Sequence, residues 1–183
     1  MSKSGEIIRA WISDIVTKTP LVTKSGEIQE YYLVDVEVHS NSDQTIVAVY
    51  VDTDKGISIE NCRYLSKRIA EALETDEKIQ QVLHDRYRLD VSSPGVSRPI
   101  VLPRQYVKNV GRRLQVTYED GSGEVKTAEG RLVSETVFDS TDQAICLDLK
   151  KEVKGRPNKK PSAPELLTVP LKQIKQAIVQ IEL

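Results

Sequence analysis

Apolar residues recur at three- and four-residue spacings in two stretches of the chain. In residues 6–17 they are Ile7, Ile8, Trp11, Ile12, Ile15 and Val16, one wide stripe on a helix. Ser4 is the candidate cap, Glu6 sits in the first turn, and Thr19–Pro20 ends the element. A tryptophan on that face predicts core packing, with an exposed binding role as the other reading. In residues 59–74 the stripe is Ile59, Cys62, Leu65, Ile69, Ala72 and Leu73, behind a Ser58 cap and a first-turn Glu60. Arg63, Lys67 and Arg68 stand to one side of it, diluted by Glu60, Glu71 and Glu74. That flank fits either solvation or phosphate contact.

Between these helices the period changes to two. Residues 31–39 alternate, with Tyr32, Val34, Val36 and Val38 on one side. Residues 44–52 answer with Ile46, Ala48 and Tyr50 on one face and Val47, Val49 and Val51 on the other, a strand buried on both faces or nearly so. Residues 40–43 are turn chemistry, predicting an antiparallel hairpin. Residues 21–30 are ambiguous, with a turn at Ser25–Gly26. Residues 76–85 form a short helix or turn that delivers the chain into a strand over 87–91. Helix, two strands, helix and strand make a compact α+β layer.

The strand at Tyr87, Leu89 and Val91 breaks abruptly into Ser92, Ser93, Pro94 and Gly95, and Pro99 pins the chain again. Proline stops a ladder, restricts the residue before it, and glycine opens backbone angles closed to other residues. The segment reads as a stiff elbow between residues 1–94 and residues 95–183. It gathers two hydroxyls, backbone N–H groups and Arg98. It is either a plain domain junction or one that also touches a partner.

Beyond it, residues 102–110 make a short helical segment around Tyr106 and Val107, ending at Gly111. Strands are predicted over 113–118, 124–133, 144–149 and 166–169, with turns at residues 120–123 and 139–142. Residues 170–174 look like one helical turn before a last strand over 177–181. Short strands with a closing strand describe a small closed barrel.

Composition narrows the class. The chain has 183 residues, 39% apolar and 29% charged, room for two small domains and no run of eighteen apolar residues. The opening stretch carries Glu6, Arg9 and Asp14 through its apolar part, unlike a signal peptide, so a cytoplasmic, membrane-free protein is expected. A net charge of −1 hides an asymmetry: up to Val96 there are 11 basic and 16 acidic residues, and from Ser97 onward 15 and 11. An acidic front and basic rear suit RNA contact through one end, or an ordinary solvated surface.

Candidate chemistry is sparse. Asp52 and Asp54 ahead of Gly56 invite a calcium-loop reading, but Arg63 falls where the bidentate glutamate belongs, leaving a tight acidic turn. Cys62 and Cys146 are expected to be buried free thiols, and His39 and His84 have no partner at ligand spacing, so no metal or cofactor is expected. Ser92 and Ser93 have no histidine placed to activate them, and Gly121–Ser122–Gly123 lacks a following Gly-Lys-Ser/Thr. No enzyme is expected. Residues 150–164 are conspicuous: Lys150, Lys151, Lys154, Arg156, Lys159 and Lys160 oppose one glutamate among three prolines and a glycine. This is a solvated loop or an electrostatic arm for RNA backbone, and without aromatics it is no base-stacking platform.

The run YRLDVSSPGVSRPI resembles the signature of the bacterial ribosome maturation factor RimP family. The resemblance extends to YVDTDKGISIENCRYLSKRIAEAL upstream and LPRQYVKNVGRRLQV downstream, and fades across residues 150–165. It implies an α+β front domain similar to a KH module, without the GXXG clamp, and a rear SH3-like β-barrel. It also implies a non-catalytic, monomeric, cytoplasmic assembly factor. Such a factor binds the maturing small (30S) ribosomal subunit, touching 16S rRNA and ribosomal protein near the decoding region. Asp52, Gly56 and Ser58 match the family's turn and cap. Ser92, Ser93, Pro94, Gly95 and Pro99 match its elbow, and Arg98 is the best single charged contact, either to RNA or across the domain interface. Family members commonly carry aspartate before that arginine; Ser97 here leaves Arg98 freer for phosphate. A general protein- or RNA-binding adaptor acting through the barrel is the competing function.

Overall fold

The computed structural model describes residues 3–22, 26, 28–40, 44–83, 86–133, 143–150 and 163–182. The chain divides into two compact units, Met1–Pro94 and Gly95–Leu183. The fold is mixed α+β, with helices concentrated in the first unit and a five-stranded sheet in the second.

In the first unit α1 (Lys3–Lys18) precedes a small antiparallel pair, β1 (Pro20–Val22) and β2 (Ile28–Glu30). The main sheet holds β3 (Tyr32–Ser40), β4 (Thr45–Asp52) and β5 (Tyr87–Ser92) in the order β3-β4-β5. β3 and β4 are antiparallel, whereas β4 and β5 are parallel, because α2 (Ile59–Thr75) and α3 (Glu77–Leu83) form the crossover between them. The core joins Ile8, Ile12 and Val16 of α1, Val47, Val49 and Val51 of β4, and Leu65, Ile69 and Leu73 of α2. Each set follows its element's period, four along the helices and two along the strand.

Several sequence expectations are corrected here. α1 begins at Lys3, so Ser4 lies inside the helix, where helical backbone angles are incompatible with capping. The buried ridge is Ile8–Ile12–Val16; Trp11 and Ile15 are half-buried beside it, and Ile7 is exposed, because α3 covers only the later part of that second ridge. Ile59 is exposed at the first position of α2, and Cys62 is half-buried, since core contact begins a turn later at Leu65. β4 buries one face; Ile46, Ala48 and Tyr50 on the other are half-buried, as no helix belongs to the core on that side. Ser25, residues 41–43, His84 and the predicted turn at 139–142 lie outside the described residues.

The second unit opens with α4 (Pro103–Lys108), whose Tyr106 is buried while Val107 is exposed. Next come β6 (Arg113–Glu119), β7 (Val125–Leu132), β8 (Ala144–Asp148) and β9 (Leu166–Pro170). A 3-10 turn (Leu171–Gln173) leads into β10 (Ile174–Val179), which starts and ends earlier than the sequence predicts. All ladders are antiparallel, in the order β10-β6-β7-β8-β9. The outermost strands are thus consecutive in the chain. Laid flat, five strands would separate them by about 19 Å, more than the roughly 14 Å that four residues can span. The sheet therefore curls, bringing Leu114, Val116, Leu132, Ile145, Leu147, Val169 and Ala177 into one core.

Gly130 of β7 lies close against the backbone of β8. A β-carbon there would stand 2.8 Å from the Asp148 carbonyl oxygen of β8, a backbone atom that cannot swing aside.

Candidate functional site

Parallel strands end at the same edge of a sheet, and this edge gathers the two turns the sequence singles out. β4 ends at Asp52 and β5 at Ser92, with Ser92 beside Tyr50 in the parallel register.

The turn after β4 is built from its own side chains. Asp52 and Thr53 are buried; the Asp52 Oδ1 accepts from the Thr53 amide at 2.9 Å. Thr53 Oγ1 donates to the Gly56 carbonyl at 2.7 Å, and the Gly56 amide donates back to the Thr53 carbonyl at 3.1 Å. Gly56 has φ of 87°, which a side chain would strain. Ser58 then caps α2, its Oγ accepting from the Asn61 amide at 3.2 Å. Asp52 is thereby a structural group of the turn, with its carboxyl turned inward, while Asp54, Lys55 and Ser58 are exposed.

Tyr31 anchors the first turn of α2 to the sheet side, its hydroxyl donating to the Asn61 carbonyl at 3.2 Å. Burial, then the neighbouring Tyr64 and Cys62, push the Tyr31 phenol up to about 12. Burial also pushes the Cys62 thiol up, and the Ser93 backbone N–H opposes that shift. Cys62, in the first turn of α2, is thus near the residue that follows β5. A thiol so placed favours the protonated, unreactive form. Ser92 and Ser93 are exposed, Pro94 is half-buried and Gly95 takes φ of 68°.

The remaining candidates are dispersed. Arg98 and Pro99 are half-buried, and Arg98 is not without a partner. Lys150 is half-buried, its amide donating to Asp148 Oδ1 at 3.1 Å. Lys151, Lys154, Arg156, Lys159 and Lys160 lie outside the described residues. On α2, Arg68 and Lys67 both pair with Glu71, at 2.8 and 3.8 Å, which offsets the basic flank there. Among the described residues no helix is long and apolar enough to cross a membrane. None of their His, Cys, Asp and Glu side chains form a group of three able to hold a metal.

Sequence reasoning missed two polar junctions. Trp11 Nε1 donates to Asp76 Oδ2 at 2.8 Å across 65 residues of chain. In the second unit Asp120 Oδ1 accepts from the Ser122 amide and hydroxyl and from the Glu124 amide, and Lys126 Nζ meets its Oδ2 at 2.5 Å. Those bonds, with Lys126 foremost, hold the Asp120 carboxyl well below the usual carboxylate range. The turn signal at residues 120–123 is visible in sequence; the lysine partner across the hairpin is not.

Comparison with known proteins adds the family. The family model described as the RimP N-terminal domain matches residues 21–97, which run from within β1 through β5 and include both turns. A ribosome maturation factor RimP of Pelodictyon phaeoclathratiforme (strain DSM 5477 / BU-1) is 31% identical over 172 residues, covering 94% of this chain and 98% of the relative. That of Prosthecochloris aestuarii (strain DSM 271 / SK 413) is 34% identical, covering 86% of this chain and 87% of the relative. That of Chlorobium chlorochromatii (strain CaD3) is 32% identical over the full length of both chains. With identity of this order running through both units and no large part of either chain left over, the chain belongs to the ribosome maturation factor RimP family.

Proposed function

We propose that this chain is a non-catalytic assembly factor of ribosome biogenesis that binds the maturing small (30S) subunit in the cytoplasm as a monomer. One observation carries the reading: relatives named ribosome maturation factor match it over nearly its whole length. Residues 1–94 serve as a KH-like α+β domain and residues 95–183 as an SH3-like barrel, a reading supported by the parallel β4–β5 crossover and by the curl of the five-stranded sheet. The partners are 16S rRNA and ribosomal protein near the decoding region.

Arg98, Lys150, Lys151, Lys154, Arg156, Lys159 and Lys160 supply backbone contacts to RNA, consistent with the basic balance of the rear half. Asp52, Gly56 and Ser58 shape the turn that presents the start of α2. Ser92, Ser93, Pro94, Gly95 and Pro99 serve as the stiff connection between the domains.

Co-sedimentation with purified small subunits, large subunits and bare 16S rRNA across a salt series tests the proposal. Selective, saturable binding to small subunits is the expected result. Equal binding to all three that vanishes in modest salt would reduce the basic residues to nonspecific electrostatics. No binding anywhere would overturn the reading.

A further inference from the structure

The helical side of the first unit carries a surface groove of about 600 Å³ that none of the turns above uses. Trp11, Ile15 and Ala72 form its apolar lining; Asp76, Glu77 and Lys78 give it charge. It lies where α2 ends. Since α2 is 17 residues long, the groove is about 25 Å from the Ser58 cap.

Three features set the chemical character of the groove. The first is a fixed carboxylate: Asp76 Oδ2 accepts from the Trp11 indole at 2.8 Å, while Oδ1 accepts from the Lys78 and Ile79 amides at 3.1 and 3.3 Å. The Trp11 bond, followed by the Ile79 amide, holds this carboxyl below its ordinary range, so it is charged at neutral pH. The second is the ring itself, half-buried against the core with its nitrogen already committed, and lining the groove beside a carboxylate. The third is the end of α2, whose last turn holds Glu74 and no basic residue; the short α3 starts at the same point, with Asp76 and Glu77 at its amide end.

We propose that this groove docks a cationic protein segment, with an arginine or lysine side chain lying over the Trp11 ring between Asp76 and Glu77. A cation there meets the ring and two carboxylates, and displaces no existing partner of the ring nitrogen. The same charges oppose a phosphate backbone, so RNA is not the occupant. Lys78 is the opposing charge in the lining and sets the expected response of one variant. The inference goes beyond the small-subunit reading and is tested without any ribosomal component, so the two fail separately.

Trp11 is the single tryptophan of the chain and reports directly from the site. The full-length protein is titrated with a hexa-arginine peptide, and in parallel with hexa-glutamate and with an oligouridine. A saturable change in Trp11 emission with hexa-arginine alone is expected. Asp76→Asn keeps an acceptor for the α3 amides while removing the charge; combined with Glu77→Gln it should weaken binding about tenfold or more. Lys78→Glu should tighten it. Absence of a saturable emission change, equal binding by the double variant, or the same response to oligouridine would overturn the proposal.

Discussion

Tyr50 and Ser92 stand side by side in the parallel register of β4 and β5. Two residues beyond Tyr50 the chain enters the Asp52–Gly56 turn; at Ser92 itself it enters the Ser-Ser-Pro-Gly segment. Parallel pairing thus places both turns at one sheet edge. The Ser93 backbone N–H also acts on the Cys62 thiol, so the start of α2 stands near the same place. A residue that acts on one turn therefore acts on the setting of the other.

Ser58→Ala removes the acceptor that the Asn61 amide meets at 3.2 Å. Loss of a serine cap costs about 1 kcal/mol. The expected result is a lower denaturant midpoint for the first unit with an unchanged slope, and near-complete recovery in Ser58→Asp. An unaltered midpoint in the alanine variant would show that the cap bond contributes nothing to stability.

Gly130→Ala forces a β-carbon to within 2.8 Å of the Asp148 carbonyl oxygen. Neither atom belongs to a flexible side chain, so the β7–β8 contact must open. Overpacking of this kind costs about 1–3 kcal/mol. Amide exchange should accelerate at Leu132 and Leu147, which pair next to the clash, and much less in the first unit. Retention of wild-type protection there would contradict the close approach.

How much of this was legible in sequence depends on the range of the interaction. Leu65, Ile69 and Leu73 follow a helical period, and Val47, Val49 and Val51 a strand period, so the core faces of α2 and β4 are readable locally. Ile7 and Ile59 share those periods but lie where no neighbouring element reaches, and periodicity does not report where a partner stops. Trp11 and Asp76 meet only after α1, α2 and α3 pack, and nothing near either residue announces the other. The same holds for Gly130, whose constraint is the backbone of another strand. The Asp52 turn and the Ser58 cap are visible as turn and cap chemistry; their shared edge with Ser92 depends on β4 and β5 being parallel, a tertiary fact.

Acid should loosen the β6–β7 hairpin through Asp120. Its carboxyl is depressed by Lys126 first and then by the Ser122 hydroxyl and amide, whereas in an unfolded chain an aspartate titrates near about 3.9. A depressed folded value means that the stabilisation is fully present above the unfolded value and is lost as pH falls below it. Exchange at the Ser122 and Glu124 amides, both bonded to Asp120 Oδ1, should rise below about pH 4 relative to the intrinsic rate. In Asp120→Asn that acid-dependent component should disappear. A wild-type hairpin with no such rise would mean that the network does not persist in solution.

The lysine-rich stretch makes the sharpest claim on the binding reading, because counterion release can be counted. Each cation that neutralises a phosphate contributes about 0.7–0.9 to the slope of log K against log salt. Replacing Lys151, Lys154, Arg156, Lys159 and Lys160 together by alanine should therefore flatten that slope for small-subunit binding by up to about 4 if all five meet phosphate. Binding in low salt should fall most, and thermal stability should not change. Arg98→Ala alone should lower the slope by about one if its guanidinium meets phosphate. An Arg98→Ala variant that loses thermal stability while keeping the slope assigns the residue to packing. A fivefold variant with an unchanged slope removes the stretch from the interface and leaves binding to the rest of the chain.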